Sequence, residues 1–239
     1  ESMSLMSVLE ELKRAREAGL KIVLPAIFAS LAVFMTLANL VFPFPILPYL
    51  RFELAEIPVI VVFLIMGPIP GLTSAGLYWG ILNVVGEWVP IGPAMKFLSM
   101  SPTLVGLWAG LAIYERFFKK RNSLAASLGL SILLGIVCRV LVTSLLNFVL
   151  LWYLFPFFLD LASGSLKAAL GLNIDSKEAA LLFALIFTAV FNIIHTFLSV
   201  LPSYAISKAV GQAKVPGIRS LWIDEAMPRR EENPATRQE

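Results

Sequence analysis

The 239-residue chain is 58% apolar and only 15% charged, with a net charge of +3, whereas a typical soluble domain is about 45–50% apolar and about 25% charged. That composition excludes a water-soluble protein, because too few charged side chains are present to cover its surface, and it indicates that lipid is the solvent. The single cysteine, Cys138, and the single histidine, His195, also exclude an intrachain disulfide and the usual His/Cys zinc sites.

The first half of the chain predicts an interfacial helix followed by three membrane spans. Residues 1–20 alternate apolar and charged positions at helical spacing, which is typical of an amphipathic helix lying at the membrane surface. About 20 mainly apolar residues cross a bilayer, and the first such stretch is 21–42. The next apolar stretch contains two prolines between Gly67 and Gly71, which break a helix. It therefore predicts two spans, 54–66 and 71–88.

The second half predicts three more spans, at 97–116, 123–157 and 178–208, with a loop between the last two. We therefore expect an all-α integral membrane protein with a six-helix membrane domain at 21–210. Residues 211–239 are polar and contain prolines, and this composition predicts a loosely ordered cytoplasmic tail.

The distribution of basic residues predicts the orientation of the six spans. The termini, the turn near residue 68 and the loop near residue 120 share one side and hold 14 of the 19 Lys and Arg residues. The other side holds four, and Arg139 lies within a span. Because cytoplasmic loops collect basic residues, both termini are predicted to be cytoplasmic. This excess explains membrane orientation and gives no support for a nucleic-acid partner.

Five polar side chains fall deep inside the predicted spans, where polar groups are costly and often functional. Arg139, Thr143 and Asn147 are spaced four residues apart and so form a row on one helix face. Asn192 and His195 are three apart and share a face of the last span. A functional interpretation is a polar seam facing a cavity that opens to the outside.

A purely structural role is the alternative for the same residues. Asn147 and Asn192 would then bond to neighbouring helices, and Arg139 would be neutralised by a carboxylate such as Glu87 or Glu115.

Catalysis is less favoured by the sequence than hydrogen bonding. No nucleophile motif accompanies His195, and an intramembrane enzyme would need Arg139 and His195 to converge with Ser144 or Ser199. No phosphate-binding G-x-x-x-x-G-K-[ST] loop is found in the sequence, so any energy from ATP must come from a partner.

Small side chains follow the first predicted span and allow close approach of another helix. That helix could belong to the same chain or to a partner. The small residues are Ala26, Ala29, Ser30, Ala32 and Thr36.

Several motifs resemble the substrate-binding S components of energy-coupling factor (ECF) vitamin transporters. The segment 47–58 (Leu-Pro-Tyr-Leu-Arg-Phe-Glu-Leu-Ala-Glu-Ile-Pro), followed by Gly67-Pro68, resembles the family's first outer loop and second span. The segment 92–98 resembles its entry to the fourth helix, and Asn147-Phe148 with Pro156 resembles its Asn-Tyr and Pro. The segment 191–195 (Phe-Asn-Ile-Ile-His) is similar to the Phe-Asn-x-x-Lys of the riboflavin type.

The resemblance implies a non-enzymatic subunit that captures riboflavin or a related flavin from the outside. It also implies a membrane coupling subunit and two ATPase subunits as partners, with the small-residue strip Ala26, Ala29, Ser30 and Ala32 as the docking surface. His195 stands where the riboflavin type has lysine, and Lys96 stands where it more often has asparagine. The expected substrate-binding residues are Asn147, Asn192, His195, Lys96, Glu53 and Arg139.

Two alternatives remain open at this stage. Arg139 near the midplane suits an anionic vitamin better than neutral riboflavin, and a membrane scaffold or sensor without any transported ligand is a different class of function. Aromatic walls for a ring are expected from some of Phe52, Trp79, Trp88, Trp152 and Phe191.

Overall fold

The computed structural model describes residues 5–118, 123–174, 176–213, 218 and 220–226, and the chain is mostly helical. Helices α1 to α8 span Leu5–Leu37, Glu56–Met66, Pro68–Val85, Ile91–Phe118, Leu124–Val149, Phe157–Leu170, Lys177–Gln212 and Trp222–Ala226. A π-helical turn, Leu150–Leu154, continues α5. Two short strands, β1 (Val41–Pro43) and β2 (Arg51–Glu53), form an antiparallel hairpin in which Phe42 pairs with Phe52.

Four helices are long and apolar enough to cross a membrane: α1 from Ala18, α4, α5 with its π-helical turn, and α7. The two other predicted spans correspond to α2, with 11 residues, and α3, with 18. The division between them falls at Gly67 as predicted. Its φ of +98° lies in a region that suits glycine, which has no side chain to clash.

The first helix is continuous from residue 5 to Leu37 and ends earlier than the predicted residue 42. Asn39 has a φ of +53°, a left-handed conformation that asparagine tolerates better than most residues. The chain then turns into the β1–β2 hairpin, which hydropathy did not indicate because each strand has only three residues.

Two regions predicted to be irregular are helical. Most of the expected loop before the last span forms α6, which ends at Gly171 in the left-handed conformation typical of a helix C-terminus. In the predicted tail, α8 buries Ile223 beside the neighbouring buried Leu221, so this part of the tail packs on the membrane domain. Residues 214–217, 219 and 227–239 of the predicted tail lie outside the described part of the chain.

Helices α4 and α5 approach closely because glycines face the partner backbone. A Cβ on Gly110 would lie 2.4 Å from Ser131 Cα, and one on Gly106 would lie 2.4 Å from the Leu134 carbonyl oxygen. The α5 face next to this contact is buried at every fourth residue and carries the predicted polar row. Its members are Ser127, Ser131, Gly135, Arg139, Thr143 and Asn147.

Candidate ligand-binding site

All six residues predicted to bind substrate line one cavity of about 160 Å³. Helices α4, α5 and α7 contribute Lys96, Arg139, Asn147, Asn192 and His195, and the hairpin contributes Glu53. Helical periodicity predicted the shared faces of Arg139 with Asn147 and of Asn192 with His195, whereas Lys96 and Glu53 were expected from the family resemblance. The remaining lining residues are Tyr49, Leu50, Arg51, Glu56, Tyr78, Met95, Ser99, Met100, Thr143, Thr188 and Phe191.

A hydrogen-bonded network centred on Arg139 forms the most buried part of this cavity. Arg139 is 1% exposed, and its guanidinium donates to both carboxylate oxygens of Glu56 at 2.7 and 2.8 Å. Its Nε donates to Asn192 Oδ1 at 2.8 Å, and its Nη2 lies 2.9 Å from His195 Nδ1. Ser199 Oγ donates to Glu56 as well, at 3.0 Å. The arginine charge is thus balanced inside the protein by a bidentate carboxylate.

The network fixes the tautomer of His195. An arginine can only donate, so His195 Nδ1 must be the acceptor of this bond and the ring proton lies on Nε2. Nε2 lies 3.2 Å from the Glu53 carbonyl oxygen, which this tautomer makes its acceptor, and 3.3 Å from the Glu53 backbone nitrogen. The neutral imidazole therefore connects the buried network to strand β2.

The β1–β2 hairpin closes one side of the cavity. Phe52 stacks on Phe191 with ring centroids 4.6 Å apart, and Phe44 packs against both rings at 5.9 and 5.7 Å. Lys96 of α4 forms an ion pair with Glu53 of β2. Together with the His195 bond, these contacts hold the hairpin against α4 and α7.

A second cavity of about 460 Å³ lies on the other side of this ion pair. Arg51, Glu53 and Lys96 line both cavities, so their side chains form the partition between them. The inner cavity is smaller than the roughly 300–1,000 Å³ that ligand pockets usually measure. A vitamin-sized ligand therefore needs the hairpin or this partition to move.

Three polar groups facing the inner cavity are not used by the protein itself. Within the described residues, the hydroxyls of Tyr49 and Thr188 are buried and have no hydrogen-bond partner, and Asn147 uses its Nδ2 on the Thr143 carbonyl but receives no bond at Oδ1. Burial raises the pKa of Tyr49 to about 12, so its phenol remains a donor at neutral pH. These groups are available to a ligand.

Among known proteins, no family model matches the chain. The riboflavin transporter FmnP of Bacillus subtilis (strain 168) is 31% identical over 182 residues, which cover 73% of this chain and 89% of the relative. The chain belongs to the FmnP family of riboflavin transporters. It is accordingly a multi-pass transport protein of the cell membrane.

The fold also has a solved counterpart. A structure of the S component of a bacterial ECF transporter matches with a TM-score of 0.60 and 18% identity, covering 83% of this chain and 99% of that one. The resemblance noted from the motifs is thereby confirmed at the level of the fold.

The sequence analysis was wrong about the carboxylate that neutralises Arg139. Glu56 fills that role, and neither Glu87 nor Glu115 lines the inner cavity. Glu56 lies near the start of the predicted span 54–66; in the structure it begins α2 and is 7% exposed. An acidic residue immediately before an uninterrupted apolar helix was the signal for a buried partner.

The aromatic walls were only partly predicted. Phe191 lines the inner cavity, and Phe52 supports it by stacking. The tryptophans at 79, 88 and 152 do not line it, and Tyr49 and Tyr78 take their place.

The small-residue strip of α1 divides between two environments. Ala29 and Ala32 have no exposed surface, because α1 packs them against the chain's own core. The prediction that Ala29 and Ala32 belong to an exposed docking surface is therefore wrong. Ala26 and Ser30 are exposed, next to the exposed side chains of Ile27 and Phe34.

Proposed function

We propose that this protein is the substrate-capture subunit of an ECF-type importer and that it binds riboflavin, or a closely related flavin, from the outside. The observation that carries the proposal is the convergence of six predicted residues on one cavity, in a chain 31% identical to a riboflavin transporter. Mixed polar and aromatic lining under a movable cover is what a planar, hydrogen-bonding vitamin requires.

In this proposal α2 and α3 pair with the four long helices, so that six segments cross the bilayer with both termini in the cytoplasm. The basic residues concentrated on the terminal side support this orientation. The predicted amphipathic segment, from residue 5 onward, is then the start of α1 at the inner membrane surface.

The roles proposed for the cavity residues follow from their bonding. Asn147 offers its free amide oxygen to the ligand, while Asn192 and His195 are held in place by Arg139. Lys96 and Glu53 close the partition after the ligand has entered. The protein catalyses no reaction and needs no metal or cofactor.

The anionic-vitamin alternative loses its main support in this geometry. It relied on Arg139, but Glu56 occupies that guanidinium with two hydrogen bonds, so little positive charge is left for a ligand. A scaffold without a ligand would have no need for unpartnered polar groups on the residues that line a cavity, because such groups cost free energy when they remain unpaired.

The partners in this proposal are a membrane coupling subunit and two ATPase subunits, because this chain has no phosphate-binding loop of its own. The exposed strip of α1 that includes Ala26 and Ser30 is the proposed docking surface.

Mass spectrometry of the small molecules that co-purify with the protein tests the proposal. A flavin at near-stoichiometric amount is the expected result. Another vitamin in its place, or no ligand in a folded preparation that also takes up none, would contradict it. Uptake of labelled riboflavin into cells should additionally require the ATPase partners, and uptake without them would refute the coupling mechanism.

A further inference from the structure

Thr188 occupies a part of the inner cavity that the sequence analysis did not single out. It lies on α7 four residues before Asn192, about 6 Å along the helix axis, and is 1% exposed. Its side chain lines the cavity. Phe191, three residues later and on the same helix face, lines the cavity as well.

The hydroxyl of Thr188 differs from most of the buried hydroxyls of α5 and α7. A buried serine or threonine in a helix commonly donates to the carbonyl four residues earlier. On α5 and α7 that bond is made, at 2.6–2.8 Å, by Ser131, Thr143, Thr196, Ser203 and Ser207. Thr188 makes no such bond, and within the described residues its Oγ1 has no partner at all.

A buried hydroxyl without a partner is unfavourable, and its presence calls for an explanation. Ser74 and Ser127 are also unpartnered, but neither lines the inner cavity. Thr188 thus combines deep burial, a free hydroxyl and a position on the wall of the cavity.

The neighbouring polar residues cannot take over this role. Arg139 is hydrogen bonded to Glu56 and His195, and His195 also contacts the Glu53 backbone. Asn192 accepts a bond from Arg139 at its amide oxygen and donates its amide nitrogen to the Thr188 carbonyl. The groups outside this network therefore keep the most unused hydrogen-bonding capacity.

We propose that Thr188 contacts the bound ligand and helps to select it, by donating its hydroxyl proton to a carbonyl oxygen or ring nitrogen on the polar edge of a planar ring. This inference rests on the proposed function and adds a specificity-determining residue to the same site. The ring, and not the flexible polyol chain of a flavin, is assigned to Thr188 because an aromatic residue, Phe191, lines the cavity from the same helix face.

The test uses the purified full chain in detergent and measures quenching of flavin fluorescence. Thr188→Val removes the hydroxyl while keeping the shape, and Thr188→Ser retains the hydroxyl. Thr196→Val is the matched control, since it makes the same change on the same helix at a hydroxyl that already has a partner and does not line the cavity.

Riboflavin should bind Thr188→Val roughly 3- to 10-fold more weakly than wild type, as expected for one lost hydrogen bond. Thr188→Ser and Thr196→Val should remain within about twofold. Lumiflavin, which has the ring without the ribityl chain, should lose affinity by the same factor. Unchanged riboflavin affinity in Thr188→Val, or a loss seen with riboflavin but not with lumiflavin, would overturn the proposal.

Melting of the ligand-free protein provides a second readout that does not depend on the ligand. Removing an unpartnered hydroxyl should leave the melting temperature of Thr188→Val equal to or above that of wild type. A lower melting temperature with unchanged affinity would identify a structural hydroxyl and refute the inference. If valine prevents folding, Thr188→Ala against Thr188→Ser makes the same comparison. Failure of the wild type to bind riboflavin would count against the proposed function instead, since the variants are read against it.

Discussion

The strongest prediction concerns Arg139, whose guanidinium connects three helices. Arg139→Met keeps an unbranched side chain but removes two bonds to Glu56, one to Asn192 and one to His195. Both members of the ion pair are buried, at 1% and 9% side-chain exposure. Removing one member of a buried pair typically costs about 3–5 kcal/mol, because the remaining charge is left uncompensated. We therefore expect Arg139→Met to lower the unfolding free energy by about 3–5 kcal/mol.

The double variant Arg139→Met with Glu56→Leu separates stability from ligand binding. Replacing a whole buried ion pair by apolar side chains is often neutral or stabilising, so most of the stability should return. Riboflavin affinity should not return, because Asn192 and His195 still lack the group that orients them. This contrast distinguishes the charge of Arg139 from its positioning role.

Reversible unfolding in mixed detergent micelles, followed by the fluorescence of the five tryptophans, measures the stability of both variants. Arg116→Met serves as the control, since Arg116 is exposed on α4 and its loss should change the unfolding free energy by less than about 0.5 kcal/mol. A decrease in unfolding free energy of less than about 1 kcal/mol in Arg139→Met, or a double variant as unstable as the single one, would refute the predicted role of the ion pair.

Three other predictions test the partition, the helix packing and the hairpin. Lys96→Met should change the unfolding free energy by less than about 1 kcal/mol, because the ion pair of Lys96 with Glu53 is partly exposed. The same variant should release riboflavin faster in stopped-flow measurements. An unchanged release rate would show that Lys96 does not hold the partition closed. Gly110→Ala should destabilise the folded protein by about 1–3 kcal/mol, because the added Cβ meets the α5 backbone. Gly129→Ala is the control and should be neutral or stabilising, because the space around Gly129 is open. Equal effects of the two substitutions would contradict the described packing of α4 on α5. Burial raises the Tyr49 pKa from 10.0 to about 12, so folding favours the neutral phenol. This contribution to stability is complete below pH 10 and is lost as the pH rises through 12. If the stability of Tyr49→Phe falls as steeply as that of wild type in this pH range, the prediction is refuted.

Helical periodicity was sufficient to predict much of the site. A row at four-residue spacing on one apolar helix and a pair at three-residue spacing on another each define a face. Because unpaired polar side chains avoid lipid, those faces had to converge, and Arg139 and Asn192 are in fact hydrogen bonded.

The parts that were missed depend on tertiary contacts that no local pattern encodes. Glu56 is separated from Arg139 by 83 positions, and only the packing of α2 beside α5 and α7 brings its carboxylate into the interior. Thr188 resembles other helix threonines in sequence, and its free hydroxyl becomes evident only when every neighbouring bond is known.

The hairpin and α6 were missed for another reason. Prediction by hydropathy recognises segments that cross the membrane, whereas β1 and β2 have three residues each and α6 has 14. Such elements obtain their stability from packing on the helices, as Phe52 does on Phe191, and not from their own apolar length.

Titration of the purified, ligand-free protein with riboflavin tests the central claim most directly. The account predicts saturable quenching of riboflavin fluorescence with one site per chain and a dissociation constant in the nanomolar range, weakened by Arg139→Met combined with Glu56→Leu. A folded protein that leaves riboflavin fluorescence unchanged across the titration would contradict it.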